Sequence, residues 1–176
     1  SDIGLRVAHK PDSQDICFVK GGDYASFVEN YTGKKVPEGK FVTRDGKVIG
    51  NHKGIIHYTI GQRRGLELPM GHRVFVTDLR MDTNEVVVGE NQDLMHTVLY
   101  ADHIHFMSVE DIEGEKRVTA KIRYNHKGAP AVICRIGEDE IECVFDSPQR
   151  AMTPGQAVVF YDGENVLGGG TIKGSK

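Results

Sequence analysis

At 176 residues, with 39% hydrophobic and 27% charged side chains, the chain has the composition of a folded globular protein of one ordinary domain or two small ones, which excludes disorder throughout. No apolar run approaches the roughly 18 residues that cross a bilayer as a helix, and the opening SDIGLRVAHK has no long apolar centre, so no membrane span or signal peptide is expected and the default setting is cytoplasmic. Net charge is −3, and the three cysteines (Cys17, Cys134, Cys143) form no C-x-x-C pair, which argues against a zinc ribbon or a disulfide framework and for reduced thiols.

The chain begins without an initiator methionine, inside what reads as the end of a preceding element, so a piece of a longer protein is expected. The first informative stretch is PDSQDICFVKGG, with Cys17 between an acidic lead-in and a glycine pair. A nucleophilic cysteine works as its thiolate and needs a positive neighbour or a helix N-terminus. Lys20 and the helix that follows supply such help, whereas Asp12 and Asp15 oppose it, and a buried apolar role between Ile16 and Phe18 stands as the alternative. In GGDYASFVENYTG, Asp23 is placed as an N-cap, Phe27, Val28 and Tyr31 have helical spacing, and Gly33 is a stop.

A loop-rich stretch follows, with turn signals at Pro37–Gly39 and Asp45–Gly46. Within it, GIIHYTIGQRRGLEL brackets Gln62, Arg63 and Arg64 with glycines, so the loop can approach another backbone closely while offering amide and guanidinium donors to a phosphate or a base edge, or it is simply an exposed hairpin loop. RVFVTDL and EVVVGE read as strands joined by a tight turn near Asp82–Asn84. From about His96 the pattern is purely β. Six runs (VLYADHIHFM, RVTAKIRY, AVICRIG, EIECVFD, QAVVFYD and VLGGGTI) alternate with glycine and acidic turns, which suggests a closed barrel. The expected fold is therefore mainly β, a leading tail and a small α+β central domain followed by a C-terminal antiparallel β-barrel.

Charge is segregated along this plan. Lys116, Arg117, Lys121, Arg123 and Lys127 form a run without an acid, Lys53 to Arg73 is a second basic island, and Glu138 to Asp146 is acidic. Local positive potential of this kind attracts phosphates even when the net charge is negative, although a solvated mixed surface gives the same pattern. Cys134 and Cys143 alternate with Val and Ile inside strands and read as core. His103 and His105 share a strand face but lack a third ligand, so no metal is expected. Gly168–Gly170 in a strand mark a bulge or a close backbone approach, and without a following Lys-Ser/Thr pair they make no phosphate loop.

Taken in order, SQDICFV, NHKGIIHYTIGQRRGL, IRY and SPQRAMTPGQAVVFYDGENVLGGGTI resemble the successive signatures of the tRNA-specific 2-thiouridylases, from about Asp12 to Ile172. The resemblance implies an enzyme that thiolates C2 of the wobble uridine of tRNA. ATP, with magnesium, adenylates the C2 oxygen in an N-terminal domain that this chain lacks, and a cysteine persulfide delivers sulfur received from a donor protein. It implies that Cys17 carries the persulfide and that Arg123, Tyr124 and Gln156 contact tRNA. Residues 1–20 would then be the tail of the missing catalytic domain, 21–95 the central domain and 96–176 the tRNA-binding barrel. The second catalytic cysteine and the ATP loop of the family are absent here, so the piece alone is expected to be inactive and to hold no cofactor. The rival reading is a non-enzymatic β-barrel RNA-binding module in which Cys17 is inert; a plain interaction domain follows instead if the run from Lys116 to Lys127 is dispersed over several faces.

Overall fold

The structure is a computed structural model that describes residue 19 and residues 24–176. Cys17 and the Asp23 cap lie outside the described residues. Helix α1 (Tyr24–Thr32) ends where Gly33 takes a left-handed φ of 66°, a conformation that costs glycine nothing and that stops the helix as the sequence leads one to expect.

Four strands follow: β1 (Gly39–Thr43), β2 (Val48–His52), β3 (Phe75–Arg80) and β4 (Glu85–Gly89). They form one sheet in the order β2-β1-β4-β3, two antiparallel hairpins joined by a parallel β1–β4 pair. The strands RVFVTDL and EVVVGE appear as expected, but β1 and β2 occupy a stretch read from sequence as loop. The reason is visible in β1. A register shift between Phe41 and Val42 breaks the two-residue alternation, and both residues are buried, so no strand period survives in GKFVT. Val86 and Val88 of β4 join Phe41, Val76, Ile55, Tyr58 and Leu66 in one core, while Val87 between them is buried on the other face, toward the barrel.

His52 closes this core. It is 3% exposed, its Nδ1 accepts the Gly54 N–H at 3.1 Å, and its Nε2 therefore carries the proton and donates to the Asn84 carbonyl at 3.2 Å. The ring packs edge-on against Phe41 and Tyr58. Gly39 is required beside it, because a Cβ there would collide with the Asn84 carbonyl and the His52 ring. Burial pushes the His52 imidazole below its ordinary value, with the Asn84 carbonyl opposing and His57 assisting. The unfolded chain thus takes up a proton near pH 6.5 that the folded chain refuses, so stability is complete above that pH and declines below it until the folded group titrates. Urea unfolding at falling pH is expected to show a loss of up to about 1.4 kcal/mol per pH unit from this group below about pH 6.5. His52→Asn should remove that component, and an unchanged pH slope in the variant would refute it.

The remaining six strands are β5 (Met95–Phe106), β6 (Glu115–Lys121), β7 (Ala129–Gly137), β8 (Glu140–Arg150), β9 (Ala157–Asp162) and β10 (Asn165–Ser175). They match the six runs expected from sequence and close, all antiparallel, in the order β10-β5-β8-β7-β6-β9. Inward positions such as Leu99, Ala120, Ile133, Ile141, Cys143 and Phe160 fill the interior. Small residues among them suit a narrow barrel that packs solid. At Gly168, Gly169 and Gly170 a Cβ would run into carbonyls of β5 and β9, so the glycine run serves close backbone approach, as its place in a strand suggested. Among the described residues no helix is long and apolar enough to cross a membrane.

Candidate RNA interface

Strand alternation fixes what β6 shows to solvent. Val118 and Ala120 point inward and are buried, so Lys121 shares the outer wall with Arg117 and Thr119. On the neighbouring β9, Val158 and Phe160 are buried, which sends Val159 and Tyr161 outward, and the register sets Lys121 opposite Val159. Arg123 and Tyr124 follow directly beyond the end of β6, and Gln156 sits just before β9. The result is an outer-wall pocket of about 420 Å³ lined by Lys121, Arg123, Tyr124, Gln156, Ala157, Val159 and Tyr161. Three residues expected to act together, Arg123, Tyr124 and Gln156, thus share one pocket.

Arg123 and Gln156 are held from behind. Arg123 Nη1 donates to the Arg150 carbonyl at 3.0 Å. The Gln156 backbone is fixed by the Thr153–Gly155 turn, its N–H donating to the Thr153 carbonyl at 3.2 Å and its carbonyl accepting from Ile172 at 2.8 Å. Lys121 Nζ lies 5.2 Å from the Tyr161 ring centroid, a cation–π seat. The basic run is divided, however. Lys116 pairs with Asp162 at 2.7 Å and Arg117 with Asp146, whereas no carboxylate among the described residues pairs with Lys121 or Arg123.

The Gln62–Arg64 loop lies on the sheet side. Gln62 spends its amide at home: its Oε1 accepts the Thr59 N–H at 3.0 Å and its Nε2 donates to the Arg64 carbonyl at 3.0 Å. That leaves the exposed Arg63 and Arg64 side chains as the outward-facing groups of the loop, and Arg63 borders a shallow depression with His72 and Arg73. What joins this loop to the barrel is Arg150. Its Nη2 donates to the Gly61 carbonyl at 3.3 Å, its Nε donates to Asn91 Oδ1 at 3.0 Å, and its guanidinium lies 5.2 Å from the Phe75 ring centroid. With its carbonyl on Arg123, one residue touches both basic surfaces. Sequence reasoning gave no role to Arg150, Lys121 or Tyr161. Lys121 was visible only as one charge of a run, and its meeting with Tyr161 depends on a β6–β9 register that no local pattern reveals.

A larger cavity, about 490 Å³, follows the seam between sheet and barrel, but its cations are already matched: Arg44 with Asp93, Arg80 with Glu85 and Lys173 with Glu140. The thiols of the barrel are quiet. Burial pushes Cys143 up to about 12, and burial together with Glu142 and Glu115 raises Cys134. His103 and His105 flank the inward Ile104, and among the described residues no group of three ligating side chains could hold a metal ion. The glycine run of β10, packed on carbonyls, does not fit the phosphates of ATP, so no ATP step belongs to these residues.

Residues 25–90 match the family model described as the tRNA methyl transferase PRC-barrel domain, and residues 96–172 match the Aminomethyltransferase beta-barrel domain. The chain is 54% identical over 170 residues to the tRNA-specific 2-thiouridylase MnmA of Lachnoclostridium phytofermentans, covering 97% of this chain and 48% of the relative. It is 49% identical over 174 residues to the protein of the same name from Clostridioides difficile, covering 99% and 48%. The chain belongs to the tRNA-specific 2-thiouridylase family. It spans about half the length of these 2-thiouridylase relatives. The two matched segments coincide with the sheet and the barrel, which is where the pocket and the Arg150 bridge of this family member are built.

Proposed function

We propose that this chain is the RNA-holding part of an enzyme that replaces the C2 oxygen of the wobble uridine of tRNA with sulfur. Arg123, Tyr124 and Gln156, with Arg63 and Arg64 of the neighbouring loop, grip the tRNA, and Gln62 keeps that loop in shape. Cys17 carries the outgoing sulfur as a persulfide loaded by a sulfur-donor protein. ATP and its magnesium act in another part of the longer protein, in the cytoplasm where tRNA is found. Residues 21–95 and 96–176 serve as a central domain and a tRNA-binding barrel. The observation that carries this reading is the pocket on the β6–β9 wall, where two cations without carboxylate partners meet two tyrosines and an amide in a chain about half identical to 2-thiouridylases. Such a surface suits the phosphates and splayed bases of an RNA loop.

The test is nucleoside analysis of a tRNA transcript incubated with the full-length protein, ATP and a persulfide donor, where 2-thiouridine is the expected product. RNA binding without 2-thiouridine would favour the second reading, a non-enzymatic RNA-binding barrel, which the lack of a thiol among the described residues of the pocket's lining also suits. Arg123→Ala is expected to weaken tRNA binding by about three- to tenfold at moderate salt and to reduce the slope of log affinity against log salt by about one, because it removes one phosphate-facing charge. Titrations at several salt concentrations check this, and an unchanged slope would remove Arg123 from the interface.

A further inference from the structure

We propose that the pocket on the β6–β9 wall captures one unpaired nucleotide of the bound RNA, distinct from the uridine that reacts, with Lys121 on its phosphate and Tyr161 as the residue that positions Lys121. This rests on the RNA reading above and adds to it a ligand unit and two residues.

The chemistry of the lining leads there. Its volume, about 420 Å³, lies in the range of about 300–1,000 Å³ that small-ligand sites occupy, and a single nucleotide is of that size. Tyr124 is 75% exposed at the rim, a large aromatic surface offered to solvent beside two cations. A base in a duplex is stacked on both faces and cannot lie on such a ring, whereas a splayed base can. Ala157 and Val159 form a small apolar floor, and Gln156, its backbone fixed by the turn, brings a side-chain amide with both donor and acceptor to the lining. Lys121 and Arg123 flank this arrangement from one strand end. A free lysine is a mobile point charge, but the Tyr161 ring gives its ammonium a fixed seat, so the pocket meets a phosphate with less ordering to do. Among the described residues that line it there is no thiol, carboxylate or imidazole, so these residues hold a nucleotide and perform no chemistry on it. The reacting uridine must go elsewhere, to the persulfide.

The experiment measures binding of the full chain to three RNAs of equal length: a hairpin with an unpaired loop, the same hairpin with abasic loop sugars, and a blunt duplex. The hairpin is expected to bind about tenfold more tightly than the other two, and Tyr124→Ala should erase that advantage, given that base–aromatic stacking changes affinity by about five- to 150-fold. Lys121→Met should lower the salt slope for the hairpin by about 0.7. Tyr161→Leu should do the same, and Tyr161→Phe, which keeps the ring face, should restore the slope; duplex binding and thermal melting report whether each variant is folded. Equal affinity for all three RNAs with Arg123→Ala still weakening binding would overturn the nucleotide pocket and leave the RNA reading standing. No binding to any of them would bring down both. A Tyr161→Phe variant as impaired as Tyr161→Leu would overturn the positioning role, and displacement of the hairpin by an equal concentration of free uridine monophosphate would overturn the assignment to a nucleotide within RNA.

Discussion

Cys17→Ser in the full-length enzyme is expected to abolish 2-thiouridine formation while tRNA affinity stays essentially unchanged. A serine hydroxyl is close in size to a thiol but cannot carry the outer sulfur of a persulfide, so loading fails while none of the residues proposed to contact RNA is changed. The barrel supplies internal controls. Cys143 is fully buried, with its thiol pushed up to about 12, and Cys134 is raised by burial and two nearby glutamates, so neither is a thiolate at neutral pH. Cys134→Ser should therefore thiolate at the native rate, and Cys143→Ala should do so wherever the barrel stays folded. The readouts are nucleoside mass spectrometry for activity and filter binding for affinity. Normal thiolation by Cys17→Ser under saturating ATP and sulfur donor would return PDSQDICFVKGG to a structural segment.

Arg150→Ala is expected to destabilise the junction of sheet and barrel by about 2 kcal/mol. It deletes two charge-assisted hydrogen bonds and a cation–π contact, each discounted for partial solvent access. The loss should be local. The amides of Gly61 and Val76, which bond to the Val76 and Gln62 carbonyls, should exchange faster, while those of β7 and β8 keep their protection. Because Arg63 and Arg64 lose their fixed position relative to Arg123, tRNA affinity should fall even though Arg150 itself is not assigned to the RNA. Arg150→Lys keeps a cation near Phe75 but not the forked geometry, and should fall between the two. Unchanged exchange at Gly61 in Arg150→Ala would show that the bridge carries no energy.

The barrel was legible in the sequence because its strands bury one face each, so apolar and polar residues alternate and turns punctuate them. The sheet was only half legible. β1 and β4 are covered on both faces: in β4 this produces the unbroken run of Val86, Val87 and Val88, still recognisable as a strand, but in β1 the shift at Phe41 and Val42 leaves two apolar residues between lysine and threonine. β2, with Gly50 and Asn51 at its centre, reads as turn and becomes a strand only through its hairpin partner. At the pocket, Arg123 and Tyr124 were marked by a motif and by charge. Tyr161 and Arg150 were not, since their roles depend on which strands lie side by side. The division of the basic run into paired and unpaired charges was likewise invisible, because Asp146 and Asp162 reach Arg117 and Lys116 from strands far along the chain.

The order of strands around the barrel has a consequence for synthesis. β5, the first barrel strand made, bonds to β8 on one side and to β10, the last, on the other. Until β10 leaves the ribosome, β5 and β9 both have a free edge, and the backbone bonds that Ile172 makes to Gly155 and Gln156 do not exist. The turn that carries Gln156 is thus locked only once β10 has been made. A nascent chain that stops short of β10 has the tyrosines and the lysine but no anchored Gln156 beside them, so the proposed RNA grip is complete only when β10 is in place.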